Sequence, residues 1–232
     1  MLGTIVNTIA IILGGALGLG FGNALSTKMK LTLIQGIGLA VLLIGGSMAL
    51  KTNNALVVIA SLVIGGVIGE LIDIELRLNN FGTWMEKKIG QGEDGRFTKA
   101  FVSTSLIFCV GAMAIMGSIE SGIRGNHTIL MAKSMLDGIS SIVFASSMGI
   151  GVLVAAVPVL LYQGAITLGA GLLQGVISPD IITEMSATGG LLIFGIGLNI
   201  LEITEIKVGN LMPGIFAAIP LTILFSRLNL GG

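Results

Sequence analysis

Eight stretches of about twenty predominantly apolar residues follow one another along this 232-residue chain. Each is long enough to cross a bilayer as a helix, which takes roughly 20 residues. Backbone N–H and C=O groups find no partners in hydrocarbon, so lipid-spanning segments of this length fold as helices. Spans are expected at 3–25, 33–50, 54–76, 100–119, 128–148, 150–174, 186–204 and 209–228. Only 10% of the residues are charged and 53% are hydrophobic, whereas soluble domains carry about 25% charge. The expected fold class is an all-α polytopic membrane protein of about eight transmembrane helices (seven on a shorter count), one integral membrane domain over 1–232. The opening "MLGTIVNT" lacks the basic stretch of a cleavable signal peptide, so the first segment reads as a retained span.

Several function classes fall away on composition. Formal net charge is zero, which gives no electrostatic footprint for nucleic acid. A single cysteine (Cys109) and a single histidine (His127) exclude a disulfide framework and a Cys/His zinc cluster. No cofactor is expected. Neither a G-x-S-x-G elbow, an H-E-x-x-H helix nor a G-x-x-x-x-G-K-[ST] loop occurs, so the chain does not read as an enzyme. The 36 glycines are about twice the usual share and suit closely packed or broken membrane helices. Gly14, Gly18 and Gly22, and Gly65 with Gly69, form small-residue faces for internal packing or for contacts in a homo-oligomer.

Between the third and fourth spans lies "ELRLNNFGTWMEKKIGQGEDGRFTK" (75–99). Leu71, Ile74, Leu78, Phe81, Met85 and Ile89 recur every three or four residues, accompanied by Arg77, Glu86, Lys87, Lys88 and Trp84. The third span is expected to continue here into an amphipathic interfacial helix, with "GQGEDG" as a turn. It is either a juxtamembrane extension or a docking helix. One side of the membrane holds Lys28, Lys30, Arg77, Lys87, Lys88, Arg96, Lys99 and Lys207, and the other holds Lys51, Arg124 and Arg227. That excess makes 75–99 cytoplasmic and puts both termini outside.

The spans also resemble one another. "LIFCVGAMAIM" (106–116), "LIFGIGLNILE" (192–202) and, more faintly, "VLLIGGSMALK" (41–51) align Gly111, Gly197 and Gly46. "IILGGALGLGFGNALS" in the first span echoes "AITLGAGLLQGVIS" in the sixth. Spans 1–3 then correspond to spans 6–8 in opposite orientation, an inverted repeat flanking a broken-helix pair. Such repeats are a hallmark of secondary transporters; chance likeness among apolar segments is the competing reading.

The polar residues concentrate in "VGAMAIMGSIESGIRGNHTILMAKSMLDGISSIVFASSMGIGV". Gly111, Gly117, Gly122 and Gly125 suggest a helix that stops early, which is tolerated only where the backbone is buried or lines a cavity. Glu120 with Arg124 and Lys133 with Asp137 are spaced to pair on one helical face. A charge as deep as Asp137 costs about 2.5–3.5 kcal/mol on insertion scales. The pair is a neutralising salt bridge, an ion- or proton-coupling site, or an anchor by which Lys133 holds an anionic solute. Ser140, Ser141 and Asn199 are further lining candidates. Asn7 and Gln163 read as interhelical hydrogen-bonding residues, and Pro158, Pro213 and Pro220 as kinks.

The segments "FVSTSLIFCVGAMAIMGSIESGIRG", "KSMLDGISSIVFASSMGIGV" and "YQGAITL", with "GTIVNTIAIILGGALG" and "GGVIGELIDIE", carry a resemblance over nearly the whole chain. It resembles the bacterial YdfK/YqgA-like membrane proteins, grouped as a domain of unknown function (number 554). The resemblance implies a bacterial inner-membrane protein of seven or eight helices, sometimes labelled a transport protein. It carries over no catalytic or binding residue. The expected function is a secondary transporter or exporter of an ion or small polar solute, with its site near the midplane around spans four and five. The alternatives are a scaffold or regulator acting through 75–99 and glycine-faced association, and a passive channel.

Overall fold

The computed structural model describes residues 1–22, 26–89, 95–110, 112–173 and 178–228. Gly111 and most of the expected "GQGEDG" turn lie outside the described residues. Among those described, the chain is helical throughout and contains no strand. The elements are α1 (Leu2–Gly22), α2 (Thr27–Ala49), α3 (Ala55–Ile72), α4 (Ile74–Ile89), α5 (Arg96–Cys109) and α6 (Ala112–Ile123). They continue with α7 (Thr128–Met148), α8 (Gly151–Val154), α9 (Ala156–Leu173), α10 (Pro179–Ile200), α11 (Val208–Leu211) and α12 (Pro213–Arg227). Seven helical stretches are long and apolar enough to cross a membrane, and α5 and α6 make an eighth candidate bent by 57°.

Local chemistry sets most boundaries, and several differ from expectation. The third span does not run on into the interfacial helix: Asp73 is left-handed (φ 55°) and donates its N–H to Gly69 O at 2.7 Å, closing α3. The span expected at 186–204 begins at Pro179, because Ser178 caps Ile181 N at 3.3 Å and Pro179 suits the first turn. It ends at Ile200, and Glu202 (φ 59°) begins the turn beyond. Of the glycines expected to interrupt the helix, Gly111 lies outside the described residues between the end of α5 at Cys109 and the start of α6 at Ala112; Gly117 and Gly122 are helical, and Gly125 is a left-handed turn residue (φ 64°). Gly122 is needed for approach, since a Cβ there would meet the Thr167 carbonyl. Pro158 denies Val154 O its usual donor, and the sixth span is interrupted at Ala155 as a result.

The helices cluster into two compact units. The first comprises Met1–Ile37, Leu78–Cys109 and Met113–Gln174. In it α1 and α7 run parallel, with Gly14 against the Gly138 backbone and Gly18 against Ile142 O. α9 runs antiparallel to α1, joined to it by Thr4 Oγ1–Thr167 Oγ1 (3.4 Å) and Asn7–Gln163. The bent pair accompanies α7 from end to end. Gly151 abuts the Phe97 backbone, Phe108 and Phe144 stack at 6.0 Å, Gly117 abuts Leu130, and Ser121 Oγ meets His127 Nδ1 at 2.9 Å. α5 and α6 together thus follow the length of the 21-residue α7, as a single bent crossing would. Parallel α1 and α7 require an odd number of crossings between them, and α2, α3 and the bent pair supply three. The candidate crossings number seven, or eight with the bent pair as one, among the described residues.

At the edge of this unit, α4 packs through Gly82 onto Thr98 and Phe101 of α5. Its charges do not all face outward: Glu86 is buried and accepts from Thr98 Oγ1 at 2.7 Å. Phe81 lies between Trp84 (5.8 Å) and Phe101 (5.6 Å), and Lys88 Nζ sits 4.9 Å over the exposed Trp84 ring.

The second unit comprises Gly38–Arg77, Val110–Ala112 and Gly175–Gly232. Its part of α2 runs antiparallel to α10, with Gly45 on Gly190 and Phe194, Gly197 on Leu42, and Gly38 on Leu201. α3 runs antiparallel to α11 and α12, with Gly65 on Gly214 and Gly69 on Asn210. At the α3–α4 corner, Glu70 accepts from Lys207 Nζ (2.8 Å) and Asn210 Nδ2 (2.7 Å). Glu75 N donates to Asn210 Oδ1 (2.7 Å), and Glu75 Oε2 accepts from Gly209 N (2.6 Å). Across both units large apolar side chains point outward, Leu43 at 71% and Leu168 at 77% exposure, as a lipid-facing surface requires.

Candidate functional site

α7 carries a lysine and an aspartate into the packed interior of the first unit. Leu130, Lys133, Ser134, Asp137, Ser141 and Phe144 recur at three- and four-residue intervals and are buried, while Met135, Leu136 and Ile139 face outward. Asp137 is nine residues from Thr128, roughly 13 Å along the axis at 1.5 Å per residue, close to the middle of the helix. Lys133 Nζ donates to Asp137 Oδ2 at 2.5 Å, and their side chains retain 8% and 10% exposure. The packed helices enclose most of the pair.

Two further helices complete the arrangement. Asn7 of α1 donates through Nδ2 to Asp137 Oδ2 (2.9 Å) and to Gln163 Oε1 of α9 (3.3 Å). The carboxylate fixes which way round Asn7 lies, because only its NH2 can face an anion. Three polar atoms of this neighbourhood are left unpaired: Asn7 Oδ1, Gln163 Nε2 and Ser141 Oγ lie buried without a hydrogen-bond partner among the described residues. A buried unpaired polar group costs about 1–3 kcal/mol, so such a cluster is expensive as pure scaffolding. The column extends beyond Gln163 to the Thr4–Thr167 contact, one turn further along α1 and α9. Close approach makes it possible, since Gly14 and Gly138 let α1 and α7 touch backbone to backbone.

A family model described as "Protein of unknown function (DUF554)" matches residues 2–223. The chain belongs to this family. It is 34% identical over 229 residues to the protein described as "Uncharacterized membrane protein YdfK" of Bacillus subtilis (strain 168), covering 97% of this chain and 96% of that one. It is 31% identical over 229 residues to "Uncharacterized protein YqgA" of Escherichia coli (strain K12), covering 96% of each. No solved structure matches. The chain is thus a member of a membrane-protein family, as its helices independently require.

The remaining sequence candidates divide between the units. Glu120 and Arg124 pair at 2.9 Å on the last turn of α6, with Arg124 70% exposed at its side chain. Ser140 is half-buried, one position from the inward face of α7. Asn199 belongs to the second unit, where it closes the turn after α10: Nδ2 donates to Ile206 O (2.7 Å) and Oδ1 accepts from Ile206 N (2.9 Å) and Thr204 Oγ1 (3.2 Å). Among the described residues no group of three or more His, Cys, Asp or Glu side chains is disposed to hold a metal.

One buried acid escaped the sequence reading. Glu184 of α10 accepts from Thr52 Oγ1 (2.5 Å), Asn53 N (2.7 Å) and Asn54 N (3.1 Å), anchoring the α2–α3 turn. It lines a cavity of about 240 Å³ with Asp180, Asn53, Asn54 and Thr222. The clue available was its spacing: Asp180 and Glu184 are four apart, in a stretch assigned to the loop before the seventh span.

Proposed function

We propose that this protein is a small secondary transporter or exporter of an ion or small polar solute, coupled through Asp137. The observation that carries the reading is the Lys133–Asp137 pair buried at the middle of a crossing helix, among unpaired amide and hydroxyl atoms. Intramembrane ionisable groups mark proton relays and ion pathways by default, and a merely neutralising pair needs no such surroundings. In this reading Asp137 takes up and releases the coupling ion while Lys133 changes partner, with Ser140 and Ser141 lining the path. The chain does no covalent chemistry and acts as a transporter, not an enzyme.

In this reading the chain crosses a bacterial cytoplasmic membrane eight times with both termini outside, and the Lys/Arg distribution supports that orientation. An inverted repeat of spans 1–3 and 6–8 accords with the antiparallel pairing of α2 with α10 through Gly45, Gly190 and Gly197. The scaffold alternative is weaker on one specific ground. Gly14, Gly18, Gly65 and Gly69 are all taken up by helices of the same chain, so these four are not free to mediate association between copies.

A thermal-shift screen of the purified protein in lipid with sodium, potassium, ammonium, inorganic phosphate and small carboxylates tests the reading. A solute of the transported class raises the melting temperature of the wild type and not of Asp137→Asn. A ligand that stabilises both proteins equally binds elsewhere and counts against Asp137.

A further inference from the structure

Asn7 and Gln163 are bonded in only one of the two ways their amides allow. With Asp137 ionised, Asn7 Nδ2 serves both Asp137 Oδ2 and Gln163 Oε1, leaving Asn7 Oδ1 and Gln163 Nε2 turned away and unpaired. Rotating both amides by half a turn gives the complementary network: Asn7 Oδ1 then faces Asp137, and Gln163 Nε2 donates to it. That arrangement repels a carboxylate and suits a carboxylic acid. Terminal amide torsions are broad and nearly two-fold, and both side chains are fully buried, so the two arrangements are discrete states of one packed cluster.

From this geometry we infer that the Asn7–Gln163 pair is a two-state reader of the protonation of Asp137, and that the coupling ion is a proton. The inference rests on the transport reading above and deepens it. A proton delivered from water bonds to Asp137 Oδ2; Lys133 keeps its own protons and moves to the carbonyl oxygen Oδ1 of the same carboxyl. The new O–H donates to Asn7 Oδ1, and the cluster gains one positive charge. Asn7 cannot turn without Gln163, because its NH2 would otherwise leave Gln163 Oε1 facing its oxygen. The outward side of the pair thereby exchanges an acceptor for a donor on Asn7 and the reverse on Gln163, carrying the protonation signal one helix further, into α9.

The groups facing Asp137 are few. Lys133 is on its own helix, the Cys109 thiol of α5 lies within electrostatic reach of both, and Tyr162 of α9 neighbours that thiol. α1 and α8 carry no ionisable side chain, and Glu120 of α6 is paired with Arg124. None offers Asp137 an acceptor placed as Asn7 is.

Infrared difference spectroscopy tests this on the full-length protein in lipid bilayers, titrated with acid, with glutamine side chains isotopically labelled. The Gln163 band is identified by its loss in Gln163→Leu, and the Asp137 carboxyl band by its loss in Asp137→Asn. Wild type is expected to show both bands changing with the same midpoint, although Gln163 makes no bond to Asp137. In Asn7→Leu the carboxyl band still titrates and the Gln163 band falls silent; Asn7→Ser serves the same purpose if the leucine variant does not fold. A Gln163 band that stays silent in wild type while the carboxyl titrates overturns the reader alone. So does a Gln163 band that persists without Asn7. A carboxyl that never titrates overturns the transport reading with it.

Discussion

Lys133 and Asp137 were visible as a pair because four-residue spacing on a helix is legible from sequence, and the structure adds what spacing cannot convey. Asn7 and Gln163 are 156 residues apart, and nothing local distinguishes two amides that meet at a carboxylate from two that cross-link helices. Asn199 illustrates the converse. It falls at a repeat position, yet its amide is consumed by the turn it closes, a bond partner seven residues ahead that helical periodicity does not anticipate. At this scale the energetics are testable by unfolding in mixed micelles. Lys133→Met leaves a buried carboxylate without its cation and is expected to cost about 3–5 kcal/mol. The double variant Lys133→Met/Asp137→Asn removes the charge as well as its partner, keeps an acceptor for Asn7, and recovers most of that loss.

At the scale of the element, the positions of the helices were readable and most of their exact ends were not. Apolar length sets where a helix crosses; a single left-handed residue such as Asp73, or a cap such as Ser178, decides where it ends. Glycines divide in the same way, because sequence shows them all alike. Gly65 lies against Gly214 backbone, whereas Gly36 has open space around its α-carbon. Gly65→Ala must push α3 off α12 and is expected to destabilise by about 1–3 kcal/mol. Gly36→Ala gains helix propensity and stabilises by about 0.5–1 kcal/mol; thermal denaturation of the two variants in one detergent reads both. The α3–α4 corner adds a pH-dependent term. Burial raises the Glu75 carboxyl above its ordinary value, partly opposed by the Gly209 N–H. A raised carboxyl pKa means the folded state binds more protons than the unfolded one, so the ionised form costs stability at neutral pH and this cost is relieved as pH falls. Glu75→Gln keeps an acceptor for Gly209 and should melt at a higher temperature than wild type at pH 8, the difference closing as the pH falls through the raised carboxyl range.

For the whole molecule, two relations inside the first unit favour counting the bent pair as an eighth crossing: α1 is parallel to α7, and the bent pair follows α7 along its full length. Hydropathy alone leaves the bent pair ambiguous, since neither α5 nor α6 is long enough to cross by itself. Eight crossings predict that reporters fused at the two ends of the chain read the same compartment, and that a reporter placed between α4 and α5 reads the opposite one. Opposite readings at the two ends would make the bent pair re-entrant. The central claim, that Asp137 couples the movement of an ion or solute to a proton, is tested most directly in proteoliposomes with an entrapped pH dye. Gradients of sodium, potassium, ammonium or phosphate are imposed, and wild type is compared with a folded Asp137→Asn variant. The account predicts solute-dependent proton movement in wild type, reduced at least tenfold in the variant; equal movement in both proteins, or none in wild type under any gradient, would contradict it.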